Sequence, residues 1–246
     1  MTLNEEANIE RCLQSVPFAD DIVVVDSFSS DRTVELAEKL GARVFREKWR
    51  GFGPQKAFAT EKAKNPWIIS LDADEALSPE LQAEILEKFS SLDPEAGYQI
   101  PRRSFHLGRW IGYGGWYPDY QLRLFNKSLS QWNAADVHEK VETKKVLRLQ
   151  NPILHWVFDS ISHQVVTNDR YSTLGAQQLQ KAGKKFLLVK LLVKPLSKFL
   201  ETYLWKRGFL DGLPGFIISI GAAYSVFLKF AKLWEMEMRS KQKGRG

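Results

Sequence analysis

Apolar and polar residues alternate with two different periods over the first hundred residues. Positions with an apolar residue every three or four residues predict helices at 5–16, 31–40, 54–64 and 79–89. Short apolar runs predict strands at 21–26, 43–46 and 67–71. Ser78, directly before Pro79, is a typical start for the fourth helix. Strands that alternate with helices are typical of an α/β fold, so a mostly parallel sheet is predicted.

The pattern changes after residue 97. Short β-like stretches at 98–101, 120–125 and 146–149 flank a segment rich in Gly, Trp and Tyr at 108–118. Long irregular segments in compact domains commonly carry binding residues. We therefore predict a binding loop over the sheet at 108–118, and one α/β domain over residues 1–158.

Helical patterns dominate residues 159–246, which are predicted to form a second, helical region. Residues 186–206 place Lys190, Lys194 and Lys198 beside a broad apolar face, which suits an anionic bilayer surface. The alternative is a helix packed on the domain with snorkelling lysines. Residues 213–228 carry no charge but fall short of the roughly 20 residues of a spanning helix, so they predict a monotopic segment. A buried helical hairpin is the alternative there.

Composition limits the class of protein. With 246 residues and 44% hydrophobic content the chain can bury a core. The single cysteine, Cys12, excludes an internal disulfide framework and favours a cytoplasmic setting. Residues 184–246 hold 13 Lys and Arg against 4 Asp and Glu, a local charge of +9 that leaves −3 for the rest. The positive charge thus lies with Leu- and Phe-rich helices, which predicts a membrane surface and no nucleic acid as partner.

An acidic cluster follows the apolar run at 67–71. Asp72 and Asp74 would lie where a strand leaves the sheet, which is where open α/β sheets bind ligands. Carboxylate oxygens are ligands for Mg²⁺ or Mn²⁺, and a cation held there can bind a diphosphate. Asp26 ends an earlier strand and can accept hydrogen bonds from a nucleobase or ribose. A solvated acidic turn is the alternative for the cluster.

Three segments together resemble the successive signatures of glycosyltransferase family 2. They are residues 2–6 (Thr-Leu-Asn-Glu-Glu), 25–33 (Val-Asp-Ser-Phe-Ser-Ser-Asp-Arg-Thr) and 71–75 (Leu-Asp-Ala-Asp-Glu). The resemblance implies a GT-A fold, a Rossmann-like α/β domain, and inverting transfer from a nucleotide-diphosphate sugar. It implies nucleoside contacts for Glu5 and Asp26 and a metal ligand in Asp74. Asp72 would contact the ribose or donor sugar, or reach the metal through water.

Inverting transfer needs a general base, and the resemblance extends to an acidic acceptor-site motif at 116–125. Asp119 in that motif is the predicted base, and Glu139 is a rival. Arg123 would contact the diphosphate or brace Asp119, unless it is a structural arginine paired across strands. Some relatives use a histidine near residue 138 as a further metal ligand, so His138 is a candidate.

Segments 102–110, 115–119 and 206–212 are similar to one subgroup, the lipopolysaccharide core β-1,4-glucosyltransferases. That similarity implies UDP-glucose as donor and a lipid-linked inner-core heptose as acceptor, at the inner face of the cytoplasmic membrane. Arg102 and Arg103 would meet an acidic, phosphorylated saccharide, and Trp116 and Tyr117 would stack on sugar rings. Ion pairs and loop packing are the structural alternatives for these residues.

One departure from the family concerns the N-terminus. Members begin with an apolar strand directly before a segment like residues 2–6, so the first strand is expected to be missing here. Two other functions stay open at this point. One is transfer to a polyprenyl phosphate, capsule or cell-wall glycan, and the other is a non-catalytic basic protein that binds membranes or nucleic acid.

Overall fold

A computed structural model describes residues 1–133 and 140–243. The chain forms two compact units. The first consists of Met1–Arg103 and Pro118–Trp156, and the second of Ser104–Tyr117 and Val157–Gly246. The segment predicted as a binding loop therefore groups with the C-terminal helices.

Eleven strands and seven α-helices are described within these ranges. The strands are β1 (Val23–Asp26), β2 (Arg43–Arg46), β3 (Trp67–Ile69), β4 (Glu75–Leu77), β5 (Ala96–His106), β6 (Arg109–Trp110), β7 (Asp119–Asn126), β8 (Gln131–Trp132), β9 (Val141–Glu142), β10 (Lys145–Arg148) and β11 (Ile153–Trp156). The helices are α1 (Ile9–Gln14), α2 (Thr33–Lys39), α3 (Phe52–Lys62), α4 (Pro79–Lys88), α5 (Ile161–Lys181), α6 (Leu188–Leu200) and α7 (Gly212–Lys243). Each predicted helix and strand before residue 101 is present, with bounds shifted by a few residues.

The sheet directions differ from the prediction. β1 and β2 pair in parallel, as expected for strands joined through a helix. The larger sheet has the order β3-β7-β5-β11-β4, and its β3/β7, β5/β7 and β11/β4 pairs are antiparallel. The prediction of a mostly parallel sheet is therefore wrong for this sheet. β3 and β4 lie at opposite ends of this order, and each pairs with a strand from later in the chain, β7 and β11, rather than with a strand reached through a single helix.

The core of the first unit lies between α4 and the larger sheet. Ser78 caps α4, since its Oγ accepts a hydrogen bond from the Leu81 amide at 3.1 Å. Leu81 and Ile85 on this helix are fully buried with Ile100 and Ile153 of the sheet. Burial of each such side chain contributes about 1.5–3 kcal/mol. This packing fixes the strands whose ends carry the acidic residues.

A cavity of about 470 Å³ separates β1 from β3 and is lined mainly by apolar side chains of both strands, α1 and α3. On the side of β1 that faces the cavity, Thr2 is the one described residue that forms a β-bridge with the strand. Its amide donates a hydrogen bond to the Val25 carbonyl at 2.9 Å. β3 pairs only with β7 in the part of the chain that the structure describes. The two sheets are therefore not continuous.

The second unit is built on α5, α6 and α7. Ser160 caps α5, accepting from the His163 amide at 3.0 Å. α6 ends in a π-helical turn at Glu201–Trp205. α7 is a single helix of 32 residues, about 48 Å long, rather than the shorter segment predicted. By length and composition the stretch Gly208–Ser240 is the one helix among the described residues that could cross a membrane.

Candidate active site

A tight acidic turn connects β3 to β4. The Glu75 amide donates to the Asp72 carbonyl at 3.0 Å, and the Glu75 carboxylate accepts from the Asp72 amide at 3.0 Å. These two reciprocal bonds close the turn. The carboxylates of Asp72 and Asp74 then contact different partners, Arg123 and His155. Both carboxylates keep partial exposure, 25% and 30% of the side chain. The turn therefore presents two carboxylates at the end of a strand, as the sequence predicts.

Glu75 lies beneath this turn as a buried counter-charge. Its side chain is fully buried and pairs with Arg123 of β7 at 2.7 Å and with Arg102 of β5 at 3.1 Å. Arg123 also binds Asp72 at 2.7 Å. Burial by itself lowers the pKa of Arg123, but the charges of Asp72 and Glu75 outweigh it and hold that pKa above its ordinary value. Arg123 is thus a permanent cation shared by two carboxylates.

Lys56 of α3 approaches Asp72 from the other side. Its Nζ lies 3.4 Å from Asp72 Oδ1, which is buried and accepts no hydrogen bond from the described residues. Burial alone would raise the pKa of Asp72, but the charges of Arg123 and Lys56 hold it well below its ordinary value. Asp72 is therefore ionised at neutral pH. One of its oxygens has acceptor capacity to offer a ligand.

Asp74 is held by β11. His155 Nε2 lies 3.2 Å from Asp74 Oδ2, and the Trp156 amide donates to the Asp74 carbonyl at 3.0 Å. The antiparallel register that places His155 opposite Glu75 brings the imidazole to this position. No sequence motif surrounds His155, so nothing in the sequence predicts this position. Only the pairing of β11 with β4 reveals it.

The donors around Asp74 fit a hard divalent cation. Asp74 offers a partly exposed carboxylate and Asp72 an unsatisfied carboxylate oxygen. Residues 1–133 and 140–243 contain no group of three or more potential ligands arranged for a metal. Mg²⁺ in particular is usually bound by one or two carboxylates, with waters and substrate phosphates completing the shell. The site therefore suits a cation that binds together with a diphosphate.

Asp119 is the first residue of β7 and lies opposite Arg102 of β5. Arg102 donates from Nε and Nη2 to Asp119 Oδ2 at 3.0 and 2.7 Å, and Gln121 donates to Oδ1 at 2.8 Å. The carboxylate is still 37% exposed. Burial lowers the pKa of Arg102, but Glu75 and Asp119 more than compensate and raise it. The arginine that braces Asp119 is thus Arg102, whereas Arg123 binds Asp72 and Glu75.

The predicted nucleoside residues form a separate hydrogen-bonded turn at the end of β1. Asp26 is fully buried, and its carboxylate accepts from Thr2 Oγ1 at 3.0 Å and from the Ser29 amide at 2.9 Å. Glu5 Oε2 accepts from Asn8 at 2.8 Å, and the Glu5 amide donates to Thr33. These bonds join residues 2–6 to the segment after β1. The first two signatures therefore meet in space.

Helix α3 bridges the two acidic regions. Gln55 Nε2 donates to Ser27 Oγ at 3.2 Å, and the next residue, Lys56, reaches Asp72. Both side chains are buried. A lysine and a glutamine in a polar helix carry no sequence signal of this role. Their position follows from the packing of α3 beside β1.

The other residues predicted from the sequence are not part of the acidic turn. Arg103 is exposed, and Tyr117 is half-buried. Trp116 stacks on His106 with ring centroids 5.8 Å apart and also contacts Phe158, so it is packed within the second unit. His138 and Glu139 fall outside the described residues.

Comparisons with known proteins bear on the family and the fold of this chain. The family model described as glycosyl transferase family 2 matches residues 1–150. A protein of Rickettsia typhi named as a glycosyltransferase is 34% identical over 98% of this chain and 87% of its own length. The lipopolysaccharide core biosynthesis glycosyltransferase LpsC of Rhizobium meliloti is 32% identical over 95% of this chain and 89% of its own.

A solved structure of the mannosyltransferase PcManGT from Pyrobaculum calidifontis, in complex with GDP-Man and Mn²⁺, is similar in fold. Its TM-score is 0.55 at 14% identity, over 94% of this chain and 84% of that one. The predicted GT-A fold is confirmed. With the family model matching more than half of its length, and relatives at 34% and 32% identity along nearly all of it, this chain belongs to glycosyltransferase family 2.

Proposed function

We propose that this glycosyltransferase is a metal-dependent, inverting hexosyltransferase that moves glucose from UDP-glucose onto an inner-core heptose of a lipopolysaccharide precursor. The observation that carries the proposal is the cluster of Asp72, Asp74 and Asp119, each held in place by a cationic or imidazole side chain. The similarity to LpsC supports lipopolysaccharide core synthesis as the process. UDP-glucose as donor rests on the resemblance to the glucosyltransferase subgroup.

Asp74 would hold the divalent cation, Mg²⁺ or Mn²⁺, with His138 as a further candidate ligand. When bound, such a cation neutralises charge that develops on the departing diphosphate. Asp72 would contact the ribose or donor sugar, or reach the cation through water. Lys56 and Arg123 keep Asp72 ionised and fixed for that contact. Glu5 and Asp26 would shape the nucleoside pocket at the end of β1.

Asp119 would act as the general base. The acceptor oxygen forms a bond to the anomeric carbon as the bond from that carbon to the diphosphate breaks, and the hydroxyl proton passes to Asp119. Arg102 and Gln121 fix the carboxylate, and its 37% exposed side chain leaves room for an acceptor. General-base catalysis of this kind contributes about 10²–10⁴-fold in rate. Glu139 is the rival for this role.

For the acceptor we propose roles for Arg102 and Arg103 of the first unit, and, separately, sugar stacking by Trp116 and Tyr117 of the second unit. Arg102 has Glu75 and Asp119 as partners in this structure, so its contribution to the acceptor would be made through the placement of Asp119. Arg103 is exposed and would meet phosphate groups of the saccharide. We place the enzyme at the inner face of the cytoplasmic membrane, where a lipid-linked acceptor is available and the basic helices find anionic lipid.

The test is calorimetric titration of UDP-glucose, UDP-galactose and GDP-mannose into the full chain, with and without Mn²⁺. We expect binding that needs the metal and favours UDP-glucose. Asp74→Asn should weaken metal-dependent binding, whereas Asp119→Asn should bind the donor normally and fail in transfer to a heptose-bearing acceptor. Tighter binding of GDP-mannose than of UDP-glucose would contradict the proposal that UDP-glucose is the donor. Normal transfer by the Asp119→Asn variant would show that Asp119 is not the general base.

A further inference from the structure

The turn between α6 and α7 carries an unusual concentration of exposed apolar side chains. They are Leu204, Trp205, Phe209, Leu210 and Leu213, which we call the apolar knuckle. Trp205 is 79% exposed and Leu213 is 68% exposed. Soluble proteins seldom expose apolar surface of this kind in one patch unless it meets a partner or a membrane.

The backbone of the apolar knuckle is closely packed and hydrogen-bonded. A Cβ at Gly215 would lie 1.9 Å from the Gly208 carbonyl oxygen, and a Cβ at Gly208 would lie 2.7 Å from the Thr202 carbonyl oxygen, so the backbones are in close contact. Asp211 is buried, and its carboxylate accepts from the amides of Gly112 and Tyr113. The apolar side chains therefore point outward from an ordered turn.

The neighbouring helices α6 and α7 carry further exposed apolar side chains. Along α7 the exposed residues Phe216, Ile220, Tyr224 and Phe227 follow at helical spacing. On α6 a second set is exposed by half or more: Leu188, Val189, Leu192, Val193 and Leu196. The lysines of α6 lie between these residues along the helix. This combination of apolar stripe and lysines fits the head-group layer of an anionic bilayer.

The other side of α7 is occupied by protein. Ile218, Phe230 and Leu233 are buried. Asn168 of the polar helix α5 donates to the Gly221 carbonyl at 3.3 Å, and Lys232 binds Asp169 at 2.6 Å. If α7 crossed the membrane, these polar partners would enter hydrocarbon, which is costly. The contacts favour a helix that lies in the interface.

A groove of about 440 Å³ lies within the knuckle, lined by Leu200, Leu204, Trp205, Arg207 and Phe209. Four of the five side chains are apolar, and the fifth is a guanidinium. Such a groove suits one acyl chain, with its phosphate at Arg207.

We propose that the apolar knuckle inserts into the head-group layer of an anionic bilayer, with Trp205 at its tip and a phospholipid acyl chain in the groove beside Arg207. This deepens the membrane association in the proposed function and rests on it, but not on the identity of the donor or acceptor. α6 and the exposed stripe of α7 would then lie along the surface.

The test measures binding of the full chain to vesicles of phosphatidylglycerol and of phosphatidylcholine, without nucleotide or sugar. We expect preference for phosphatidylglycerol. Leu213→Glu should weaken binding at least about tenfold, since it removes a leucine that the proposed contact buries in the bilayer and adds a charge that anionic lipid repels. Val166→Glu is the matched control, because Val166 on α5 is also 68% exposed but lies outside the proposed surface. Equal loss in both variants, or no loss in Leu213→Glu, would overturn the proposal.

A second measurement uses lipids brominated at shallow and deep acyl positions as quenchers of tryptophan fluorescence. The shallow bromines should quench best, and Trp205→Phe should remove much of that quenching, whereas Trp49→Phe in the first unit should not. Stronger quenching of Trp205 by deep bromines would indicate a membrane-spanning arrangement and contradict the interfacial one. Because the vesicle assays contain no donor, normal insertion with failed UDP-glucose binding would refute only the proposed chemistry.

Discussion

Replacing Glu75 with glutamine tests whether the buried ion network holds the acidic turn in place. The change preserves size and one acceptor oxygen but removes the negative charge that Arg102 and Arg123 share at 3.1 and 2.7 Å. Arg123 is only 4% exposed, so water cannot replace the lost partner. Breaking a buried pair from one side typically costs about 3–5 kcal/mol.

Two features of the structure place the expected loss near the lower end of that range. Arg123 keeps Asp72 as a partner, and Arg102 keeps Asp119. We therefore expect Glu75→Gln to lower the free energy of unfolding by about 3 kcal/mol, which for a chain of this size lowers the Tm by roughly 6–12 °C. Metal-dependent donor binding should weaken as well, because the Asp72 amide is left with at most a neutral acceptor in place of the Glu75 carboxylate.

The assay is thermal and urea unfolding followed by circular dichroism, with Glu95→Gln as the control. Glu95 pairs with Lys144 on the surface, where both side chains are more than half exposed, so its loss should leave the midpoint essentially unchanged. Equal midpoints for wild type and Glu75→Gln would refute the inference that the network stabilises the turn. A shift in the Glu95→Gln control of the same size would refute it too.

Three further predictions concern other parts of the chain. Gly215→Ala should disrupt the start of α7 and abolish vesicle binding, because its Cβ would meet the Gly208 carbonyl oxygen at 1.9 Å; unchanged binding and protease resistance would contradict this. Asp72 has a lowered pKa in the folded state, so its stabilising effect is complete above the ordinary carboxyl value of 3.8 and decreases as the pH falls below it. The urea midpoints of wild type and Asp72→Asn, measured between pH 7 and pH 3, should therefore approach each other as the pH falls. A difference in midpoint that stays constant over this range would contradict the lowered pKa of Asp72. Burial raises the pKa of Cys12 to about 12, so iodoacetamide at pH 8 should label this thiol only after unfolding, and rapid labelling of the folded chain would show that the site is open.

The acidic turn could be predicted from the sequence because its signal is local. Asp72 and Asp74 follow an apolar run directly, and a strand end predicts their exposure without knowledge of any partner. Lys56 and His155 could not be found in this way, since each reaches the turn from a distant element. Their roles depend on where α3 packs and on the register between β11 and β4.

The two arginines illustrate the same limit. Arg123 follows Asp119 closely in sequence, which suggested that it could brace that residue. Four residues of an extended strand separate the two by roughly 13 Å, however, whereas the cross-strand register places Arg102 directly opposite Asp119. The strand β4 was missed because it has three residues and begins with the charged Glu75, whose partners become visible only in the folded sheet.

The balance of charges in the site has a consequence for the order in which ligands bind. Four carboxylates, those of Asp72, Asp74, Glu75 and Asp119, are in contact with Lys56, Arg102 and Arg123, or in the case of Asp74 with His155. With a neutral imidazole the cluster carries a formal charge of −1, which a divalent cation would convert to +1. A site so close to neutrality attracts neither a free cation nor a free nucleotide diphosphate strongly. In the proposed reaction each ligand would supply the charge that the other needs, and thermodynamic linkage would then require that metal and nucleotide raise each other's affinity by the same factor.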